Sequence, residues 1–273
     1  MPLDALLLAL AAAFAHALWN ILLARARDPQ AATAVALLVS IAVFTPVAAL
    51  TWELEREAWP YLAITSVLQL VYFALLITAY QRTDVSVVYP VARGLAPVLV
   101  LTAGVVLLGA ATSAAQISGV LLVGAGVLLI RGVRRRAELV GVAYGAVIAG
   151  VIASYTLFDN SGIRYASPIT YLEVSMIPCA LVYAAVIVRL RGRASLGREL
   201  NLASVTAGVA TFTAYALVLA ALERAAAAPV AAVRETSILI VTGLAMVVLR
   251  ERVSPGRLAG AVLVVLGVAL LAL

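Results

Sequence analysis

The stretch Tyr89-Pro-Val-Ala-Arg93-Gly-Leu-Ala-Pro97 lies inside an apolar run covering 85–108, and Pro229-Val-Ala-Ala-Val-Arg234-Glu-Thr-Ser237 lies inside a second run covering 226–249. Each holds an arginine about nine residues into hydrophobic sequence. A guanidinium near the middle of a bilayer costs about 2.5–3.5 kcal/mol even on the lenient insertion scale, so an intramembrane arginine marks a site or a pathway. The two arginines are 141 residues apart, and sliding the chain by that offset aligns 79–130 with 220–271 without a gap. Arg93 then meets Arg234, Ser113 meets Ser254, Gly119 meets Gly260 and Gly126 meets Gly267, with 12 identities in 52 positions. A gapless register with matched glycine and arginine identifies an internal duplication.

Composition fixes the class. Of 273 residues, 65% are hydrophobic and 12% charged, and the mean hydropathy is +1.12. Water-soluble domains run near half apolar and a quarter charged. Apolar runs of spanning length fall at 3–24, 31–52, 59–80, 85–108, 114–131, 138–158, 168–190, 200–222, 226–249 and 254–273. The expectation is an all-α integral membrane protein of ten transmembrane helices in two five-helix repeats, 1–132 and 133–273. Five is odd, so the second repeat enters the membrane upside-down and the repeats are inverted. The N-terminal run has Asp4 where a signal peptide would be basic and continues to Leu23, so it reads as a retained first helix.

All 19 basic residues are arginine. Fourteen fall in odd-numbered connections, three (Arg56, Arg164, Arg224) in even ones, and two are Arg93 and Arg234. The positive-inside rule then places the odd connections in the cytoplasm and both termini outside. One cysteine (Cys179) excludes an intrachain disulfide, and one histidine (His16) excludes a histidine-rich metal centre. No Gly-x-x-x-x-Gly-Lys-Ser/Thr sequence provides for ATP, and neither a metal-binding carboxylate cluster nor a nucleophile–base pair provides for lipid-phosphate chemistry.

Arg93 and Arg234 each lie about 12 Å into their helices, which start from opposite faces, so the repeat brings both cations near the midplane. Pro90 and Pro97 flank Arg93 and Pro229 precedes Arg234, so the helix around Arg93 is expected to kink or unwind. Tyr89 stands one turn before Arg93. Glu235 replaces Gly94 of the first repeat. It is expected either to pair with Arg93, leaving Arg234 for a ligand, or to carry a coupling proton. His16, Trp19 and Asn20 form a polar-aromatic stripe on the first helix, with Tyr155, Thr156 and Asp159 on the sixth. Gln69 and Tyr72 come from the third helix. Glu173, near a helix end, ranks below these. The expected ligand-binding set is therefore Arg93, Arg234, Glu235, Tyr89, His16, Trp19, Asn20, Gln69, Tyr72 and Tyr155. Small residues at Ala115/Gly119, Gly256/Gly260 and Gly141/Gly145 are expected to bring helices close together.

The strings His16-Ala-Leu-Trp-Asn20, Tyr89-Pro-Val-Ala-Arg-Gly-Leu-Ala-Pro97, Arg234-Glu-Thr-Ser-Ile-Leu and Leu249-Arg-Glu-Arg-Val-Ser-Pro-Gly256 resemble those of the EamA family within the drug/metabolite transporter superfamily. The resemblance spans essentially the whole chain. It departs at Ala110, where the first repeat lacks the acidic residue that Glu251 supplies in the second. The His-Ala-x-Trp-Asn start is similar to a subgroup associated with phosphonate use. Plastid sugar-phosphate translocators of the superfamily hold phosphate with basic residues on the fourth and ninth helices, where Arg93 and Arg234 stand. The resemblance implies a secondary transporter of the bacterial inner membrane, without enzymatic activity, cofactor or nucleic-acid partner. Its partners would be a small-molecule substrate, a proton or counter-transported solute, the lipid bilayer and a second copy in a homodimer. A small anionic or zwitterionic solute is the expected cargo, with a drug or amphiphile exporter of the same fold as the alternative.

Overall fold

A computed structural model describes residues 2–108, 113–131, 136–222, 224, 230 and 233–271. Ala110, Arg134, Arg135 and Pro229 lie outside them. The helices are α1 (Leu3–Arg25), α2 (Pro29–Leu50), α3 (Trp59–Tyr80), α4 (Val85–Leu108), α5 (Ala114–Arg131), α6 (Arg136–Gly162), α7 (Pro168–Arg191), α8 (Arg193–Glu199), α9 (Leu202–Leu222), α10 (Ser237–Val247) and α11 (Pro255–Leu271). Among the described residues, six helices are long and apolar enough to cross a membrane, or seven if the α8–α9 pair, bent by 86°, counts as one span. α5, α10 and α11 are shorter apolar helices.

Local chemistry sets many of the boundaries. Pro29, Pro168 and Pro255 open their helices, where the missing N–H would have no partner in any case. The repeat-matched serines are caps: Ser113 Oγ accepts from Gln116 N at 3.1 Å, and Ser254 Oγ accepts from Arg257 N at 3.3 Å. Gly192 ends α7 at φ +77°, the left-handed conformation that suits glycine. The charged connection 189–199 was expected to be a loop, but its 193–199 segment forms α8.

Two further expectations need correction. α4 remains one helix through Pro90 and Pro97, so the backbone beside Arg93 is not unwound. The interruption lies instead in the second copy. Residues 233–234 are helical, 235–236 form a turn, and α10 begins at Ser237, so the run 226–249 is not one continuous helix.

The most extensive helix contacts all join the first half of the chain to the second: α5 with α11, α1 with α9, α4 with α6, α3 with α6, and α2 with α7 and α9. α5 and α11 approach through their matched glycines. A Cβ on Gly126 would sit 2.6 Å from Gly260 O, and one on Gly267 would sit 2.8 Å from Gly119 O. Gly119 thus meets Gly267 while Gly126 meets Gly260, so the two helices run antiparallel. Gly141 and Gly145 seat α6 on Thr83, Val87, Val88 and Val91 of the α4 side. One apolar cluster centres on Trp19, Phe73, Leu76 and Ile148, a second on Tyr89, Val123, Ile238 and Val264. Leu7, Phe14, Leu121, Leu128, Val186 and Leu266 point outward and are exposed, as suits a surface solvated by acyl chains.

Connections pair up at two ends of the bundle. At one, Arg257 donates to Asp84 (2.7 Å), Arg191 pairs with Asp28 (2.5 Å) and Asp28 N donates to Glu199 (3.0 Å). At the other, segments 53–55 and 165–167 hydrogen-bond through Glu55 N to Tyr165 O (2.8 Å) and Ser167 N to Glu53 O (2.9 Å). The first end carries the arginine-rich connections.

Candidate functional site

The turn at 235–236 creates the central charge cluster. Ile238 N donates to Glu235 O and Leu239 N to Thr236 O, both at 3.0 Å, and Thr236 Oγ1 donates to Val233 O at 2.7 Å, so tight three-residue turns carry the chain across the break. Irregular backbone at this depth survives only when shielded by protein, and Glu235 is 3% exposed. Its carboxylate accepts from Arg93 Nε at 3.0 Å and Nη2 at 2.6 Å, a two-pronged pair. Glu235 Oε1 also accepts from Arg234 Nη2 at 3.2 Å and Nε at 3.4 Å, both longer.

One carboxylate therefore serves two guanidiniums, and the cluster keeps a surplus of one positive charge. The cations differ in access: the side chain of Arg93 is 8% exposed and that of Arg234 is 32%. Both line a cavity of about 390 Å³, large enough for a small metabolite. A guanidinium facing such a low-dielectric space attracts anions more strongly than it would in water.

Seven of the ten expected residues line this cavity: His16, Trp19, Gln69, Tyr72, Arg93, Tyr155 and Arg234. Three do not. Tyr89 is buried and donates its hydroxyl to Ser237 Oγ at 3.0 Å. Asn20 donates to His16 O at 2.8 Å and accepts from Tyr80 OH at 2.6 Å, tying α1 to α3. Glu235 reaches the cavity only through the arginines it holds. Two lining groups carry unspent hydrogen-bonding capacity, because His16 Nε2 and Trp19 Nε1 are buried without a partner.

The sequence reading missed several lining residues. Ser40, Thr211, Phe212 and Tyr215 come from α2 and α9, where isolated polar or aromatic residues carry no periodic signal. Asp159 and Thr156 stand with Tyr155 on the noted α6 stripe, and both line the cavity. Glu173 does not; Thr45 lies 2.6 Å from its Oε1, and its Oε2 has no partner.

The cavity occupies one half of the bundle. Its α6 lining residues come from the last part of the helix (Ile152 to Asp159), its α7 residues from the first part (Leu172 to Met176), and its α9 residues from the middle onward (Thr211 to Val218). These are the ends remote from the arginine-rich connections. The other half is closed by polar contacts. Asn20 and Tyr80 lie just beyond the cavity. Glu251 accepts from Val85 N (2.9 Å), Ser86 N (3.2 Å) and Ser86 Oγ (2.5 Å) at the start of α4. Arg250, three residues past the end of α10, takes φ 56°, and Glu251 N returns to Ala245 O at 3.0 Å, which holds Glu251 against the last turns of α10.

The profile of the EamA-like transporter family matches residues 3–132 and again 139–273. Among solved structures, a crystal structure of a protein superimposes with a TM-score of 0.66 at 18% identity, covering 97% of each chain. That likeness concerns fold alone. No curated protein matches.

Proposed function

Because the chain belongs to the EamA-like transporter family, a family of membrane transporters in the drug/metabolite transporter superfamily, we propose that it moves a small anionic or zwitterionic metabolite across the cytoplasmic membrane by alternating access. The observation that carries this reading is the charge surplus of the arginine cluster: Glu235 is taken up by the buried Arg93, and the more accessible Arg234 faces the cavity with only long contacts to the same carboxylate. Arginine matches carboxylate, phosphate or phosphonate with paired hydrogen bonds. Ten spans in two inverted repeats accommodate this chemistry, and the antiparallel Gly119–Gly267 and Gly126–Gly260 contacts between α5 and its repeat mate α11 support the inversion. With the cavity in the half away from the arginine-rich connections, the positive-inside rule makes this conformation the outward-open one. Transport would then require the Glu251 and Arg257 contacts to part.

The test is counterflow of phosphonates, sugar phosphates and carboxylates in proteoliposomes. Arg234→Ala should lower uptake at least tenfold, and unchanged anion uptake in both Arg234→Ala and Arg93→Ala would overturn the anion site. An exporter of drugs or amphiphiles is the second reading, favoured by the aromatic lining of Trp19, Tyr72, Phe73, Tyr155, Phe212 and Tyr215. Resistance conferred on a drug-sensitive strain, with no anion counterflow, would establish it.

A further inference from the structure

The cavity has a second pole. Asp159 lies near the end of α6 remote from the arginine-rich connections and lines the same space as Arg93 and Arg234. Its Oδ1 accepts from Thr65 Oγ1 at 2.5 Å and from Tyr171 OH at 3.2 Å, which fixes the carboxylate plane. Its Oδ2 has no hydrogen-bond partner among the described residues. No cationic side chain pairs with Asp159 among the described residues. A lone carboxylate oriented by two hydroxyl donors inside a membrane protein is costly to keep unless a cation meets it.

The geometry points to a cargo that is itself dipolar: an anionic group bound at Arg234 and a primary ammonium group bound at Asp159. This rests on the arginine-site reading and narrows it from anions in general to ω-amino acids or amino-phosphonates. Asp159 and Arg234 line the same cavity as Trp19 and Tyr155, whose rings offer an apolar surface for a short alkyl linker between the two charged groups. A plain anion would leave Asp159 unpaired, and a plain alkylammonium would leave Arg234 unpaired. Selectivity would therefore come from the cost of stranding one charge.

The experiment measures binding to purified protein in nanodiscs with matched pairs differing only by the ammonium group, ω-aminoalkylphosphonates against alkylphosphonates and ω-amino acids against alkanoates, with linkers from ethyl to hexyl. Alkylammonium ions form a third arm. The expected result is at least tenfold tighter binding of the amino member at one linker length in the wild type. Asp159→Asn, with Asp159→Ser as a second variant, should abolish that preference without weakening the plain anion. Equal binding of both members by the wild type, or a preference that survives in both variants, overturns the dipolar cargo while leaving the anion site standing. Alkylammonium binding as tight as that of the amino anion, or no binding of any anion, overturns the arginine-site reading and this inference with it.

Discussion

Replacing Glu235 by glutamine keeps the shape of the side chain and removes its charge, leaving Arg93 buried at 8% side-chain exposure without a counter-ion. Removing one partner of a buried ion pair costs about 3–5 kcal/mol, because the remaining charge has lost its water and gained nothing. At about 2–4 °C per kcal/mol for a chain of this size, the melting temperature should fall by about 6–20 °C. Glutamine still offers one acceptor to Arg93, which places the expectation toward the lower end. Arg93→Met alone leaves Glu235 its longer contacts to Arg234 and should cost less. The double variant Arg93→Met/Glu235→Gln has no stranded charge and should recover to within about 1–2 kcal/mol of the wild type, since neutral replacements for buried pairs are often tolerated. Arg234→Gln should cost no more than about 1 kcal/mol, its contacts being 3.2–3.4 Å long and its side chain partly exposed, yet it should be the variant most impaired in anion transport. Thermal unfolding followed by intrinsic fluorescence reads all four. An unshifted melting temperature in Glu235→Gln, or a double variant as damaged as the two single effects summed, refutes a tightly coupled Arg93–Glu235 pair.

Two other expectations follow from the packing. Gly126→Leu places its Cβ where Gly260 O stands 2.6 Å away, and backbone cannot give way as a side chain does, so stability should fall by more than about 1–3 kcal/mol; a melting temperature within error of the wild type would remove α5–α11 as a close glycine contact. Glu251→Ala deletes the two carboxylate oxygens that accept three hydrogen bonds at the start of α4 and should loosen the closed half. With Cys179 replaced by alanine and a cysteine put at Ser40, an impermeant thiol reagent applied from the arginine-rich side should then label several-fold faster, and an unchanged rate would show that Glu251 does not hold the closure.

The duplication, the membrane setting and the pairing of Arg93 with Arg234 were legible because each leaves a one-dimensional trace: a fixed offset, a length of apolar sequence, and a charge where charges are expensive. The glycine contacts were readable for the same reason, since they depend on local spacing, whereas the matched serines at 113 and 254 showed themselves as caps only in the structure. Tyr89 and Asn20 looked like ligand groups because a helical face shows which residues lie together and not whether a neighbouring helix already satisfies them. Ser237 and Tyr80, distant in sequence, do so.

Sequence alone thus determined what must be buried from lipid and which residues repeat. Only the tertiary arrangement decided how the charges are shared. Glu235 could be assigned to Arg93 only once the break after Arg234 was seen to turn it toward α4. Asp159 became a cavity acid only when Thr65 and Tyr171 were seen to hold one of its oxygens and leave the other open. The physical reason is range: the cost of burying a charge depends on its own residue, whereas its compensation depends on whichever groups the fold brings within about 3 Å of it.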